Sequence, residues 1–246
     1  MRSAMEHILE VRKLNVYYKS ASKSIFGKAS KKQVLFDINF DVNEGEIFGI
    51  VGESGCGKST LSKAVLGMNT LYDGEIIHHS VKPQMIFQDP YSSLNPAWTV
   101  GRILREPLIL SGVKDKNELT GRVNDMLLRV GLDETYARRR PSQLSGGQRQ
   151  RISIAAALIA RPRLIIEDEP LSALDVTIQA QIMKLLLELK NEFGLTYIFI
   201  SHDIDVVYQM CDRIMVMKDG HVIESGETEE LFSDPKEAYT RQLIEG

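Results

Sequence analysis

The stretch EIFGIVGESGCGKST, Glu46 to Thr60, decides the fold of this chain. Its opening, EIFGIV, is short and apolar and predicts a buried β-strand. The segment that follows, GESGCGKS, matches G-x-x-x-x-G-K-[ST], and a helical pattern comes after it. Glycines in such a loop let backbone N–H groups turn toward phosphate oxygens, and the helix points its positive N-terminal end at the same anion. The strand–loop–helix order therefore favours a phosphate-binding loop over a chance glycine-rich turn.

A second motif, LIIEDEP, supplies the other groups that phosphate chemistry needs. In the first motif, Lys58 can neutralise the β- and γ-phosphates and the Ser59 hydroxyl can bind Mg²⁺. The apolar run Leu164–Ile166 predicts a strand that delivers Asp168 to its end, where it can bind the metal or its waters. Glu169 leaves the strand and can act as general base on the attacking water. A charged strand end without function is the alternative, and the phosphate loop weakens it.

Two further segments carry residues suited to the same chemistry. TYIFIS predicts a strand that leads into His202, and Asp203 and Asp205 suit the first turn of a following helix. A lone histidine at a strand end is usually a polar terminus, so His202 needs partners at the same sheet edge to gain a role. LSGGQRQR begins a long helix with Ser145 and Gly146, whose N–H groups make a second anion-binding helix end. An ordinary serine cap followed by flexible glycines is the alternative.

The order of elements along the chain predicts an α/β fold. Strand patterns alternate with helical ones, which implies a mainly parallel sheet covered on both faces. From about Pro90 to Ala137 strand character is lost, which predicts a helical insert. RIMVMKDGHVIESG predicts a hairpin that turns on Asp219–Gly220. KSASKSIFGKASKK, between the first two strands, predicts a solvated loop or hairpin insertion whose lysines are Lys19, Lys23, Lys28, Lys31 and Lys32.

Composition limits the class of protein. The chain has 246 residues, 43% hydrophobic and 26% charged, which is typical of a globular protein with a large core. A formal charge of −3 argues against binding nucleic acid through overall charge, and we expect no nucleic-acid partner. Two cysteines are too few for a disulfide framework or a cysteine zinc site. No apolar run approaches the roughly 20 residues of a membrane span, and Met1–Lys13 lacks a signal-peptide pattern, so membrane association is expected through partners.

Taken in chain order, these motifs resemble those of the ATP-binding cassette (ABC) ATPases, whose signature is LSGGQ. The resemblance covers nearly the whole chain and implies one P-loop NTPase domain, residues 1–246, with the ABC nucleotide-binding fold. It implies a RecA-like, mainly parallel sheet core with an antiparallel β subdomain, residues 1–88 and 161–246, and a helical subdomain, residues 89–160. His202 falls at the family's switch position, which contacts the γ-phosphate and the catalytic glutamate.

The resemblance also implies the roles of single residues at the ATP site. Catalysis would use Glu169, His202 and Gln88, the glutamine of MIFQDP that meets Mg²⁺ and the water and senses the transporter. Magnesium would be bound by Ser59, Gln88 and Asp168. The other ATP-binding positions would be Tyr18, Gly52, Glu53, Ser54, Gly55, Cys56, Gly57, Lys58 and Thr60. Tyr18 of NVYYK takes the position that stacks on adenine, and Tyr17 fits the register less well.

Two segments would act across a dimer interface. The signature helix of one subunit covers ATP held on the phosphate loop of the other, and its positions here are Leu144, Ser145, Gly146, Gly147 and Gln148. A loop in PLSALD crosses the interface, and its positions here are Ser172, Ala173, Leu174 and Asp175.

Finer features resemble one branch of the family. QDPYSSLNP, LSALDVTIQAQI and the closing AYTRQLIEG look like the peptide/nickel importer ATPases, which serve oligopeptides, dipeptides, nickel or metallophores. The resemblance implies an ATPase that uses ATP and Mg²⁺ and couples ATP binding and hydrolysis, at a head-to-tail dimer interface, to uptake. The implied partners are a second ATPase subunit, two transmembrane permease subunits and, indirectly, an extracytoplasmic substrate-binding protein. The implied location is the cytoplasmic face of the cell membrane.

Several alternatives stay open at this point. Cargo is undecided between peptide and metal because selectivity lies in subunits that this chain does not contain. The dimer can be homomeric or heteromeric, although these importers commonly pair two different ATPases. A soluble ABC protein acting on DNA or ribosomes would need a long coiled-coil insertion or two cassettes, which the sequence lacks. A nucleotide-binding module without turnover is disfavoured by the presence of Glu169 and His202.

Two positions depart from the family pattern. Glu167 precedes the Asp168–Glu169 pair, where a small or apolar residue is usual, and Ala156 stands where an arginine is common. Three consecutive acids are costly beside an ATP site unless Glu167 is paired or protonated. We therefore hypothesise that Glu167 points to the opposite sheet face and finds a hydroxyl, amide or base there.

Overall fold

The computed structural model describes residues 7–20, 30–79, 83–87, 93–171 and 174–245. The chain divides into two compact units. The first unit comprises Met1–Pro83 and Thr196–Gly246, and the second comprises Gln84–Leu195. The subdomain boundaries at 89 and 160 that the family resemblance implies remain a prediction.

The described residues form strands and helices in the alternating order that the sequence predicts. The strands are β1 (His7–Ser20), β2 (Ser30–Asn43), β3 (Ile47–Val51), β4 (Tyr72–His78), β5 (Gln84–Ile86), β6 (Leu164–Asp168), β7 (Thr196–Ile200), β8 (Arg213–Lys218) and β9 (His221–Glu227). The α-helices are α1 (Lys58–Val65), α2 (Val100–Leu110), α3 (Lys116–Arg129), α4 (Gly146–Leu158), α5 (Val176–Phe193), α6 (Ile204–Met210), α7 (Thr228–Ser233) and α8 (Ala238–Glu245). Two short 3₁₀ helices, Glu134–Arg138 and Pro141–Gln143, precede α4.

The first unit contains both parallel and antiparallel pairing. Strands β2, β1 and β4 form an antiparallel sheet in that order. Strand β3 pairs in parallel with β7 on one side and with β8 on the other, and β8 pairs antiparallel with β9. Every residue of β3 and β7 is buried, as expected for central parallel strands. The predicted mainly parallel core with an antiparallel β subdomain is confirmed, and so is the hairpin that turns on Asp219–Gly220.

The second unit is mainly helical. Its strands β5 and β6 are parallel, with Ile86 opposite Glu167. Thr99 caps α2 and Asp115 caps α3, each through a side-chain oxygen that accepts a backbone N–H, as is common at helix starts. Helix α5 ends at Gly194, whose φ of +62° is the left-handed value that glycine adopts readily. None of the helices in the described part of the chain is long and apolar enough to cross a membrane.

The lysine-rich insertion begins and ends within a hairpin. Lys19 of β1 lies opposite Lys31 of β2, so the two strands continue into the segment that the sequence leaves open between loop and hairpin. The tip of the insertion, residues 21–29, lies outside the described residues.

Glu167 is the exception to an otherwise apolar interior of β6. Its side chain is fully buried, and neither carboxylate oxygen has a hydrogen-bond partner among the described residues. The hypothesis that it finds a hydroxyl, amide or base is therefore wrong. The carboxyl group avoids the energetic cost of a buried charge by staying protonated, because burial raises the pKa of Glu167 to about 8. At neutral pH this side chain is mainly the uncharged acid.

The buried Glu167 predicts a specific dependence of stability on pH. Its pKa is 4.5 in an ordinary environment and about 8 in the folded chain. Both states are protonated below the lower value, and the folded state binds the extra proton between the two values. Stability therefore falls as the pH rises through this window, by up to about 1.4 kcal/mol per pH unit, and the loss is complete above the folded pKa.

Glu167→Gln removes this titration. We expect the free energy of unfolding to fall less steeply in this variant than in the wild type between about pH 5.5 and 7.5. Denaturant unfolding at both pH values measures the two slopes. Glu188→Gln, the same chemical change on the exposed surface of α5, is the matched control and should keep the wild-type slope. Equal slopes for wild type and Glu167→Gln would contradict the buried titration.

Candidate active site

The phosphate loop joins β3 to α1. Gly52, Gly55 and Gly57 all have positive φ, at 149°, 86° and 117°, a region that residues with a side chain rarely adopt. Gly57 is also the N-cap of α1, and no side chain caps this helix start. Because the first N–H groups of a helix lack intrahelical partners, this end is suited to an anion.

Lys58 is buried inside the turn of this loop. The residue is 5% exposed, and its ammonium donates to the carbonyl oxygens of Gly52 at 2.6 Å and Glu53 at 3.0 Å. The charge therefore sits where it can reach an anion bound at the loop. Cys56 is buried beside it, and burial raises the pKa of the Cys56 thiol, so this side chain stays uncharged.

His202 lies just beyond the same sheet edge as the phosphate loop. Ile50 of β3 lies opposite Ile200 of the parallel strand β7, so Gly52 and His202 each follow their paired residue by two positions. Asp203 caps α6 by accepting the Val206 N–H at 3.1 Å, and its own N–H donates to the Ser201 hydroxyl. These caps fix the backbone on both sides of His202, whose side chain is exposed. The predicted strand and the acidic helix start are confirmed.

In the second unit, Asp168 and Glu169 lie at the end of β6. Asp168 is the last residue of the strand, and Glu169 follows it with a φ of +51°. This left-handed conformation costs a non-glycine residue about 1–2 kcal/mol, and such strain is often found at functional sites. The parallel neighbour β5 ends at Ile86, so the chain after it leaves from the same edge of this pair. Gln88 itself lies outside the described residues.

The signature segment starts α4 with a reciprocal cap. The Ser145 hydroxyl accepts the Gln148 N–H at 3.3 Å, and the Gln148 side-chain oxygen accepts the Ser145 N–H at 3.0 Å. The Gln148 amide also donates to the Tyr136 hydroxyl at 2.9 Å. The serine cap considered as an alternative is thus present within the chain.

Signature and interface-loop segments both approach one residue of α5, Ile178. A Cβ atom on Gly147 would come within 3.0 Å of Ile178, so only glycine allows this approach without a shift. Asp175 caps α5 by accepting the Ile178 N–H at 3.0 Å. Leu144 is buried and Leu174 is half-buried, while Ser172 and Ala173 lie outside the described residues. Helix α5 therefore positions both segments.

The remaining predicted positions lie at the surface of the first unit. Tyr18 on β1 is 40% exposed, whereas the Tyr17 ring is half-buried and carries the Lys31 ammonium at 5.6 Å. The exposed Tyr18 ring is thus the freer of the two for stacking on a base. Other predicted ATP-binding positions at the loop and first turn of α1 are exposed or half-buried: Glu53, Ser54, Gly55, Ser59 and Thr60.

Two contacts of the phosphate loop were not predicted from the sequence. The Glu53 N–H donates to the Tyr239 hydroxyl at 3.3 Å, and the Gly220 N–H donates to the Cys56 carbonyl at 2.9 Å. The sequence marks both partners, Tyr239 within AYTRQLIEG and Gly220 in the predicted turn, but neither pattern indicates a contact with the phosphate loop.

Comparisons with known proteins agree with this geometry. The family model described as ABC transporter matches residues 35–172. The oligopeptide transport ATP-binding protein OppF of Bacillus subtilis is 41% identical, over 97% of this chain and 82% of that protein. The dipeptide transport ATP-binding protein DppF of Haemophilus influenzae is 40% identical, over 94% of this chain and 75% of that protein.

A solved structure agrees as well. The ATP-binding cassette MJ0796, a dimer in a post-hydrolysis state bound to ADP and Pi, is 30% identical. It has a TM-score of 0.76 over 89% of this chain and 98% of its own. The chain belongs to the ABC transporter ATP-binding proteins, in the family that contains these oligopeptide and dipeptide transport proteins.

Proposed function

We propose that this chain is the ATP-hydrolysing subunit of an importer for peptides. The observation that carries the proposal is the buried Lys58 ammonium inside a glycine loop at the start of α1, at the edge from which His202 also leaves. This arrangement supports a site that binds and senses phosphate. The names of the relatives, oligopeptide and dipeptide transport ATP-binding proteins, support peptide as the cargo class over nickel or a metallophore.

In the first unit, the chain's own residues bind and orient the nucleotide. Lys58 turns from the carbonyls of Gly52 and Glu53 to the β- and γ-phosphates, and the α1 N–H groups surround the same oxygens. The exposed ring of Tyr18 stacks on the adenine. His202 contacts the γ-phosphate and reports its presence to the backbone of α6.

The proposed magnesium ligands are oxygen donors. The Ser59 hydroxyl, the Asp168 carboxylate and the Gln88 amide are hard ligands of the kind that Mg²⁺ accepts beside phosphate and water. When bound, Mg²⁺ neutralises charge that develops on the phosphates.

Glu169 is the proposed general base in the second unit. Its position just beyond the strand end separates it from Asp168, so one acid can bind the metal while the other accepts a proton from the attacking water. The water oxygen forms the new bond to the γ-phosphorus as the bond to the ADP oxygen breaks. Gln88 orients that water and connects the site to the membrane subunits.

A second ATPase subunit completes each site. We propose that Ser145 and Gly147 of one chain meet ATP bound to its partner, with the loop Ser172–Asp175 crossing the interface. The dimeric solved cassette with ADP and Pi supports this mode of assembly for a chain of similar fold. A paralogous partner, two permease subunits and an extracytoplasmic binding protein complete the proposed importer, at the cytoplasmic face of the membrane.

Glu169→Gln should keep ATP binding and lose turnover. The amide cannot accept the proton, and a general base typically contributes about 10²–10⁴-fold to a rate. We expect at least about a hundredfold lower ATPase rate and an ATP-dependent dimer that persists in size-exclusion chromatography with light scattering. Glu188→Gln is the surface control with wild-type turnover. Undiminished turnover of Glu169→Gln would exclude Glu169 as the base.

Capture of the closed complex tests which proteins assemble with this chain. Tagged Glu169→Gln is purified from detergent-solubilised membranes of the native host with MgATP present. We expect a second cassette protein and two membrane subunits to co-purify, because the variant holds the closed state. Tagged wild type in MgADP is the control with weaker recovery of the second cassette. Recovery of ribosomes or nucleic acid alone would contradict the transporter assignment.

Loss of uptake tests the cargo. Deleting the gene for this chain should abolish uptake of a labelled oligopeptide and leave uptake of radioactive nickel unchanged. Expression of the wild-type chain should restore peptide uptake, and Glu169→Gln should not. Loss of nickel uptake with intact peptide uptake would reverse the cargo assignment while leaving the ATPase assignment standing.

A further inference from the structure

The outer face of the phosphate loop contacts residues from the C-terminal part of the first unit. The Tyr239 hydroxyl of α8 accepts the Glu53 N–H at 3.3 Å, and the Gly220 N–H donates to the Cys56 carbonyl at 2.9 Å. A Cβ atom on Gly52 would come within 2.2 Å of the Met217 carbonyl oxygen, so the loop backbone lies directly against the end of β8. Two hydrogen bonds, at Glu53 and Cys56, and close packing at Gly52 thus hold the loop from outside.

The peptide group between Gly52 and Glu53 is held at both of its polar ends. Its carbonyl oxygen accepts from the Lys58 ammonium at 2.6 Å, and its N–H donates to Tyr239. Under the proposed function, binding of phosphate would draw Lys58 toward the anion and weaken the first contact. Tyr239 then holds this peptide from the opposite side.

Tyr239 is itself firmly placed. The residue is 9% exposed, and the Lys218 ammonium lies 4.3 Å from the ring centroid. The start of α8 is tied to β9, because the Glu224 carboxylate accepts the backbone N–H groups of Lys236 at 2.9 Å and Glu237 at 3.2 Å. Burial raises the pKa of the Tyr239 hydroxyl, so the uncharged phenol is the form that meets the loop.

We propose that Tyr239 is a positioning residue for the phosphate loop. It keeps the Gly52–Glu53 peptide in place while Lys58 moves to the nucleotide, and so raises the affinity for ATP without touching the reacting atoms. The C-terminal helix thereby gains a role in nucleotide binding. This inference rests on the proposed function, because it assumes that the loop binds ATP.

Tyr239→Phe tests the role of the hydroxyl alone. The variant keeps the ring, its burial and its contact with Lys218, and it removes the acceptor for the Glu53 N–H. Because one such hydrogen bond is worth about 0.5–1.5 kcal/mol, we expect the Kd and KM for MgATP to rise about two- to tenfold. The value of kcat should change by less than about twofold, since the hydroxyl contacts the loop backbone and not the proposed general base. Tyr208→Phe, an exposed tyrosine that packs on Phe232, is the matched control.

The measurements separate the outcomes. Full-length wild type and both variants are titrated with MgATP, assayed for steady-state turnover and melted without nucleotide. A raised KM with near-normal kcat and an unchanged melting temperature supports the positioning role. A KM equal to that of the wild type, or a fall in kcat alone, overturns it. If wild type and Tyr208→Phe also fail to bind MgATP, the proposed function fails and this inference fails with it.

Discussion

The ammonium of Lys58 lies inside the turn of its own loop, where two carbonyl oxygens accept its hydrogen bonds, and the first unit is arranged around this contact. A buried cation requires such partners, and the loop that supplies them turns through glycines at positive φ. Strand β3, which delivers the loop, is packed between β7 and β8. Gly49 of that strand leaves no room for a side chain, because an added Cβ would meet Ile214 at 2.8 Å and Cys211 at 2.9 Å. The position of the charge thus depends on close packing beneath it.

The second unit contributes acidic residues to the proposed site, whereas the first contributes the cation Lys58. Three acids follow one another at the end of β6, yet burial keeps Glu167 mainly protonated at neutral pH, so this residue adds little negative charge beside Asp168 and Glu169. The departure from the family pattern at Glu167 is therefore tolerated by neutralisation and not by pairing. As a consequence, the folded chain loses stability as the pH rises and this buried group is deprotonated. Glu169 has a left-handed backbone conformation, which turns the chain away from the strand. This strain is a second energetic cost at the same strand end.

Features set by local spacing could be predicted from the sequence, and features set by distant packing could not. The phosphate loop, the Ser145 cap and the acidic helix start at Asp203 each depend on a few neighbouring residues, so pattern and physical reason coincide. The environment of Glu167 depends on what surrounds β6 in space, and the predicted partner was wrong. Tyr239 reaches a loop residue far away in the chain, and no short motif encodes such a contact.

The serine cap and the phosphate role of Ser145, posed as alternatives from sequence, are chemically compatible. A hydroxyl has one proton to donate and two lone pairs to accept with. The cap uses a lone pair, since the Gln148 N–H is the donor, and the proton can still be donated to an anion. Capping also fixes the hydroxyl in the position from which it would donate, so the ordering cost is met before a nucleotide arrives. Gly147 also holds the signature turn in place, because it packs closely against Ile178 of α5, the helix that Asp175 caps. The signature turn is therefore pre-organised within one chain for a ligand that, in our proposal, the partner subunit presents.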